Sequence, residues 1–223
     1  MRSLVRNAES GARAPTCIVC LPGAYHAAAD LSAAGFDSRV RERALPIDVA
    51  FVDVELGYLG DRRPLERLKH EIVLPARAMG YRSIWMAGIS LGGFIALDYA
   101  VSNPGDLDGL CLLAPYLGNR MLTREIAAAP GLAAWAAGPA QESDEERRVW
   151  RFIQAQHPLA RRADGPRYSP PLHLGYGRED RFSDAHRLMA QALPVGAVDV
   201  VPGGHDLKTW TVLWENFLDS RFA

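Results

Sequence analysis

The chain has no excess of either charge: 25 lysines and arginines stand against 26 aspartates and glutamates in 223 residues. Such a balance gives no global field to hold a polyanion, so nucleic acid is not an expected partner. Long apolar runs are also missing. No stretch approaches the roughly 20 apolar residues that span a bilayer. The opening MRSLVRNAESGARAPT lacks the apolar run of about 7–15 residues of a secretory signal, and the expected location is the cytoplasm. Cysteine is scarce. Cys17, Cys20 and Cys111 sit in the apolar runs CIVCL and GLCLLAP, where cysteine behaves as a small hydrophobe. The Cys17-x-x-Cys20 spacing has no second ligand pair, so packing is the expected role and no metal is expected. No internal repeat is visible.

What the chain does contain is apolar mass: 48% of its residues are hydrophobic, enough for one core, and a single domain over 1–223 is expected. Short apolar runs closed by turn residues alternate with stretches of helical period, which is the pattern of an α/β fold with a mostly parallel central sheet flanked by helices. The strand candidates are 17–21, 49–54, 84–89, 110–113, 172–176 and 197–201. Leu65, Leu68 and Ile72 have helical spacing, which Pro75 should kink or end before Gly80. A helix should begin at Ser90 and carry Leu91, Phe94, Ile95 and Tyr99 until Asn103-Pro104-Gly105 stops it. Trp210, Leu213, Trp214, Phe217 and Leu218 share one face of a C-terminal core helix.

The alternation breaks over 117–171, which reads as an insertion. It begins rich in alanine, glycine and proline, then turns charged over SDEERRVWRFIQAQ. Ser143 and Glu146 form a capping-box pattern ahead of a helix from 144 to about 156. Two placements stand open for the insertion: a small helical cap over the C-terminal edge of the sheet, or packing against the body of the domain. Arg120, Arg124, Arg147, Arg148, Arg151, Arg161, Arg162 and Arg167 give it a basic tone, read either as a solvated face or as an attraction for a carboxylate or phosphate.

The sharpest motif is Gly88-Ile89-Ser90-Leu91-Gly92-Gly93, directly after the buried run SIWMAGI and directly before LGGFIALDYA. A serine on a tight strand-to-helix turn takes strained dihedrals, and glycines two residues to either side let the backbone pass close, which lifts the hydroxyl for attack. An alcohol is a poor nucleophile near neutral pH until a base takes its proton and a carboxylate orients that base. Of the six histidines, His205 alone follows the last strand candidate in a glycine-rich turn, Val201-Pro202-Gly203-Gly204-His205-Asp206. His26, His70, His157, His173 and His186 fall before the motif, in helices, at loop ends or in a strand, and of these His26 borders the expected pocket. Asp206 is assigned to capping the last helix.

With the motif in that context the sequence resembles the α/β-hydrolase superfamily, in particular its short bacterial esterase-like members. The resemblance runs from about Thr16 to the C-terminus, so the opening antiparallel strands of such folds are expected to be shortened or missing. It implies a triad of Ser90, Asp180 and His205, the acid lying in the turn Gly177-Arg178-Glu179-Asp180-Arg181-Phe182 after the penultimate strand. Glu179 and Asp184 remain alternatives for the acid. It further implies an oxyanion hole from the N–H groups of Leu91 and Ala24, with Tyr25 as the neighbouring alternative to Ala24 and Tyr25 and His26 bordering the pocket. Pro22-Gly23 departs from the His-Gly frequent in the family.

The implied activity is hydrolysis of a carboxylic ester of a small or medium acyl group through an acyl-enzyme, with no cofactor. Its partner would be a small-molecule acyl ester or thioester. Activity should rise with pH through a histidine ionisation, roughly 6.5 if unperturbed. Thioester hydrolysis or acyl transfer by the same triad is the nearest alternative, and a non-catalytic binding protein on the same fold is the third.

Overall fold

The computed structural model describes residues 3–6, 14–53, 63–138, 144–157 and 170–223, giving for 3–6 only the course of the strand. In chain order the first half runs β1 (Ser3–Arg6), β2 (Thr16–Leu21), α1 (Ala28–Ala33), α2 (Phe36–Glu42), β3 (Ile47–Val52), α3 (Arg63–Arg67), a π-helical segment (Leu68–Val73), α4 (Leu74–Ala78) and β4 (Ser83–Ile89). The second half runs α5 (Leu91–Ser102), β5 (Gly109–Leu113), α6 (Arg120–Ala128), α7 (Glu145–Gln156), β6 (Leu172–Gly177), α8 (Ser183–Ala190), β7 (Val198–Val201) and α9 (Leu207–Phe222).

All six expected strands form and pair in parallel, in the sheet order β1-β3-β2-β4-β5-β6-β7. The seventh strand was not expected. β1 lies antiparallel on β3, Ser3 opposite Val52 and Arg6 opposite Val49, so one short opening strand is present.

Period-two alternation divides the core between the two sheet faces. Along β2, Cys17, Val19 and Leu21 join the face covered by α5, while Ile18 and Cys20 join the face covered by α1, α2 and α9. Cys17 and Cys20, three apart on a strand, therefore point to opposite faces and cannot share a bridge or a metal. All three thiols are free and buried, and burial, with Asp48 adding to it, pushes Cys17 up to about 12.

At Pro75 the helix is distorted rather than cut, and it ends at Ala78, before Gly80. The run continues from α3 into α4 through the π-helical turn just before the proline. The wider turn relieves the clash that the ring would make with the preceding α-helical carbonyl, and the missing N–H falls in the first turn of α4.

The charged half of the insertion forms α7, but its cap is Asp144, whose carboxylate accepts from Arg147 N at 3.0 Å. This corrects the capping-box expectation. Ser143 lies outside the described residues, and Glu146 turns instead to the Tyr116 hydroxyl and Asn119 N, each at 3.0 Å. A carboxylate one residue nearer the helix did the capping and freed Glu146 for a tertiary contact.

Val149, Trp150 and Ile153 of α7 are buried in the core that contains α5, and Trp150 Nε1 donates to Leu117 O at 2.6 Å. α7 packs against α5, while α6 packs beside α8. The parts of the insertion at 139–143 and 158–169 lie outside the described residues, Arg161, Arg162 and Arg167 among them.

Candidate active site

β4 ends at Ile89, and Ser90 makes the turn into α5 with φ 51° and ψ −113°. A non-glycine residue there carries strain of about 1–3 kcal/mol, which persists only where the surroundings impose it. They do so on every side. Ser90 N donates to Leu113 O at 3.1 Å, and Ser90 O accepts from Gly93, Phe94 and Tyr116 at 3.0, 3.2 and 2.8 Å. The flanking glycines are steric necessities: a Cβ on Gly88 would stand 2.3 Å from Gly92 O, and one on Gly92 would stand 2.4 Å from Leu21 O.

The structure brings Ser90, Asp180 and His205 into one hydrogen-bonded line. His205 Nδ1 lies 2.7 Å from Asp180 Oδ2, and His205 Nε2 lies 2.9 Å from Ser90 Oγ. With the carboxylate accepting at Nδ1, the neutral ring carries its proton there and Nε2 accepts from the serine hydroxyl. Burial alone would raise the Asp180 carboxyl, but hydrogen bonds from His205 and from Phe182 N–H, together with neighbouring histidines, hold it below its ordinary value. It is therefore ionised where imidazole titrates.

Two turns at the ends of β6 and β7 set the spacing of Asp180 and His205. Glu179 N donates to Gly203 O at 3.0 Å and Glu179 Oε2 accepts from Gly203 N at 2.6 Å, clamping one turn to the other. Glu179, a competitor for the acid, is thus occupied with the turn. The other competitor, Asp184, pairs with Arg187 at 2.5 Å on the surface. Asp206 caps α9, accepting from Thr209 N at 2.9 Å, as expected.

The loop after β2 lies against the serine: a Cβ on Gly23 would be 3.5 Å from Ser90 Cβ and 3.8 Å from His26 Nδ1. Asp53, just past β3, anchors this loop by accepting from Ala28 N at 2.7 Å. Ala24 is half-buried in it, His26 turns inward beside Trp210 with ring centroids 5.4 Å apart, and Tyr25 is 87% exposed at the tip. Leu91 opens α5 with its N–H at the helix N-terminus.

Two aromatic side chains that sequence reasoning did not assign to the site flank His205. The rings of Phe182 and Trp210 both stand edge-on to His205 at 5.1 Å. Trp210 had been read as core, which its 3% exposure bears out, but its ring also touches the histidine. Phe182 had a faint signal: it is the one large apolar residue in the polar turn GREDRFSDAH. His186 is fully buried behind the site, and its Nε2 donates to Pro115 O at 2.9 Å. Among the described residues no group of His, Cys, Asp and Glu could hold a metal ion, and no helix is long and apolar enough to cross a membrane.

No family model and no curated protein matches the sequence. Solved structures do match. A substrate-bound fluorophosphonate-binding serine hydrolase F of Staphylococcus aureus is 13% identical with a TM-score of 0.64, over 96% of this chain and 86% of that one. An S-formylglutathione hydrolase of Agrobacterium tumefaciens is 14% identical with a TM-score of 0.62, over 97% and 87%. Est1E of Butyrivibrio proteoclasticus with ferulic acid bound is 12% identical with a TM-score of 0.63, over 99% and 94%. The parallel sheet order, the strand-to-helix turn at Ser90 and these neighbours together establish that the chain has the α/β-hydrolase fold.

Proposed function

We propose that the protein is a serine hydrolase that cleaves a carboxylic ester of a small or medium acyl group, with Ser90 as nucleophile, His205 as base and Asp180 as its orienting acid. The observation that carries this reading is the continuous hydrogen-bonded line from Ser90 Oγ through His205 to Asp180, with the serine strained at the head of α5. The geometry needs no cofactor.

In the proposed cycle Ser90 Oγ attacks the acyl carbon while its proton passes to His205 Nε2, and ionised Asp180 stabilises the imidazolium. The N–H groups of Leu91 and Ala24 receive the charge that develops on the carbonyl oxygen. The imidazolium returns its proton to the departing alcohol. Water, deprotonated by the same nitrogen, then releases the acid from the acyl-enzyme. Fold neighbours that include a ferulic acid esterase and S-formylglutathione hydrolases support ester or thioester chemistry for this site. Thioester cleavage is the second reading, since the same groups perform it.

The test is hydrolysis of a panel of p-nitrophenyl esters and acyl thioesters by the wild type and by Ser90→Ala. A loss of at least about 1,000-fold is expected in the variant, with an unchanged circular dichroism spectrum. Equal activity in the two proteins would contradict the assignment.

A further inference from the structure

Four of the insertion's arginines, undifferentiated in the sequence, fall into two pairs in the structure. Arg147 is bound by Glu125 and Asp144, and Arg148 by Asp98. Arg120 and Arg124 of α6, with Arg181 from the turn that carries Asp180, have no carboxylate within ion-pair distance among the described residues. These three instead line one pocket of about 560 Å³ between α6, α8 and that turn. The volume is that of a small-molecule site. Its wall also holds Arg187 and one carboxylate, Asp184, which are paired to each other.

The position of the pocket relates it to the triad. Phe182 forms part of its wall, and the same ring stands edge-on to His205 at 5.1 Å. The Arg181 guanidinium sits 4.9 Å over the Phe182 ring, which holds it at this junction. The basic hollow is therefore one aromatic ring away from the base. Concave walls focus the field of unpaired guanidinium groups, and a guanidinium fork matches a carboxylate with two parallel hydrogen bonds.

We infer that this pocket receives the carboxylate end of the substrate, so that the preferred substrates are esters or thioesters whose acyl part ends in a second carboxylate. The inference rests on the serine hydrolase reading and names its substrate class. The acyl carbon would lie at Ser90 and the chain would pass Phe182 to place the distal carboxylate among Arg120, Arg124 and Arg181.

The experiment compares kcat/KM for the mono-p-nitrophenyl esters of adipic and suberic acids with that for neutral p-nitrophenyl esters of the same acyl length. In the wild type at low salt the anionic ester should be favoured by about tenfold. The ratio should fall toward one in R120Q/R124Q/R181Q and with rising salt. Arg82, exposed at the opposite end of β4, supplies the control, and R82Q should keep the wild-type ratio. Cleavage of the neutral esters with no anionic preference, or a preference unchanged in the triple variant, overturns the inference and leaves the hydrolase reading standing. If neither ester is cleaved, the hydrolase reading fails, and calorimetric titration with adipate judges the pocket alone. Binding that is lost in the triple variant supports it, and absence of binding in the wild type overturns it.

Discussion

His205 is held on all sides by groups that leave it one orientation. Asp180 fixes Nδ1, Ser90 occupies Nε2, and the edges of Phe182 and Trp210 close the flanks. Removing water from around the ring strengthens both hydrogen bonds. A second histidine, His186, lies buried near the site. Burial pushes His186 down to about 4 from an ordinary 6.5, so the folded protein keeps it neutral while the unfolded chain protonates it below about 6.5. Its contribution is whole above pH 6.5 and disappears as the pH falls from there to about 4. Asp180, also depressed when folded, loses its contribution at lower pH, below the ordinary carboxylate value of 3.8. The wild type should therefore lose up to about 3 kcal/mol between pH 6.5 and 4 through His186. In His186→Gln, which retains an N–H donor for Pro115 O, this part of the slope should vanish. Urea unfolding across that range measures it, and equal slopes in the two proteins would contradict the assignment.

At the scale of elements, the turn from β4 to α5 is built by close backbone approach, with glycine required at Gly92 because Leu21 O passes within 2.4 Å of where a Cβ would be. Gly92→Ala should destabilise the protein by about 3 kcal/mol, by wedging α5 away from the end of β2. Gly196 meets nothing within 4 Å, and Gly196→Ala should stay within about 0.5 kcal/mol. Denaturant midpoints compare the two, and similar shifts would remove the steric explanation. This turn was legible in the sequence because strand, glycines, serine and helix are contiguous there. The parallel strands β2 to β6 were legible because each is buried on both faces and reads as an apolar run. β1 was not: four edge residues with a serine and an arginine carry no such run. The π turn before Pro75 escaped because the apolar spacing of Leu65, Leu68 and Ile72 says helix without saying how the chain adapts to a proline. Asp180, the proposed acid, was legible only through its place after β6. What separates it from Glu179 is a long-range contact, since Glu179 is taken by Gly203 N from another turn.

Over the whole molecule, the insertion's α7 docks on α5 through an apolar face and one ion pair, between Arg148 and Asp98. Asp98 is 1% exposed, and pairing with Arg148 helps to make its charge tolerable there. Asp98→Ala should cost about 3 kcal/mol, whereas the double replacement Asp98→Leu with Arg148→Met should recover most of that loss. Thermal or urea unfolding of the three proteins tests this, and an undiminished loss in the double variant would contradict it. The same docking leaves α6 facing α8, so that Arg120 and Arg124 line the pocket beside the turn that carries Asp180. The measurement that bears most directly on the proposed activity is intact and peptide mass spectrometry after treatment with a fluorophosphonate, which modifies a serine only when a base and an oxyanion site activate it. One adduct on the peptide containing Ser90 is expected, lost in Ser90→Ala and in His205→Ala. A folded wild-type protein that takes up no label, or a His205→Ala variant labelled as readily as the wild type, would contradict the triad.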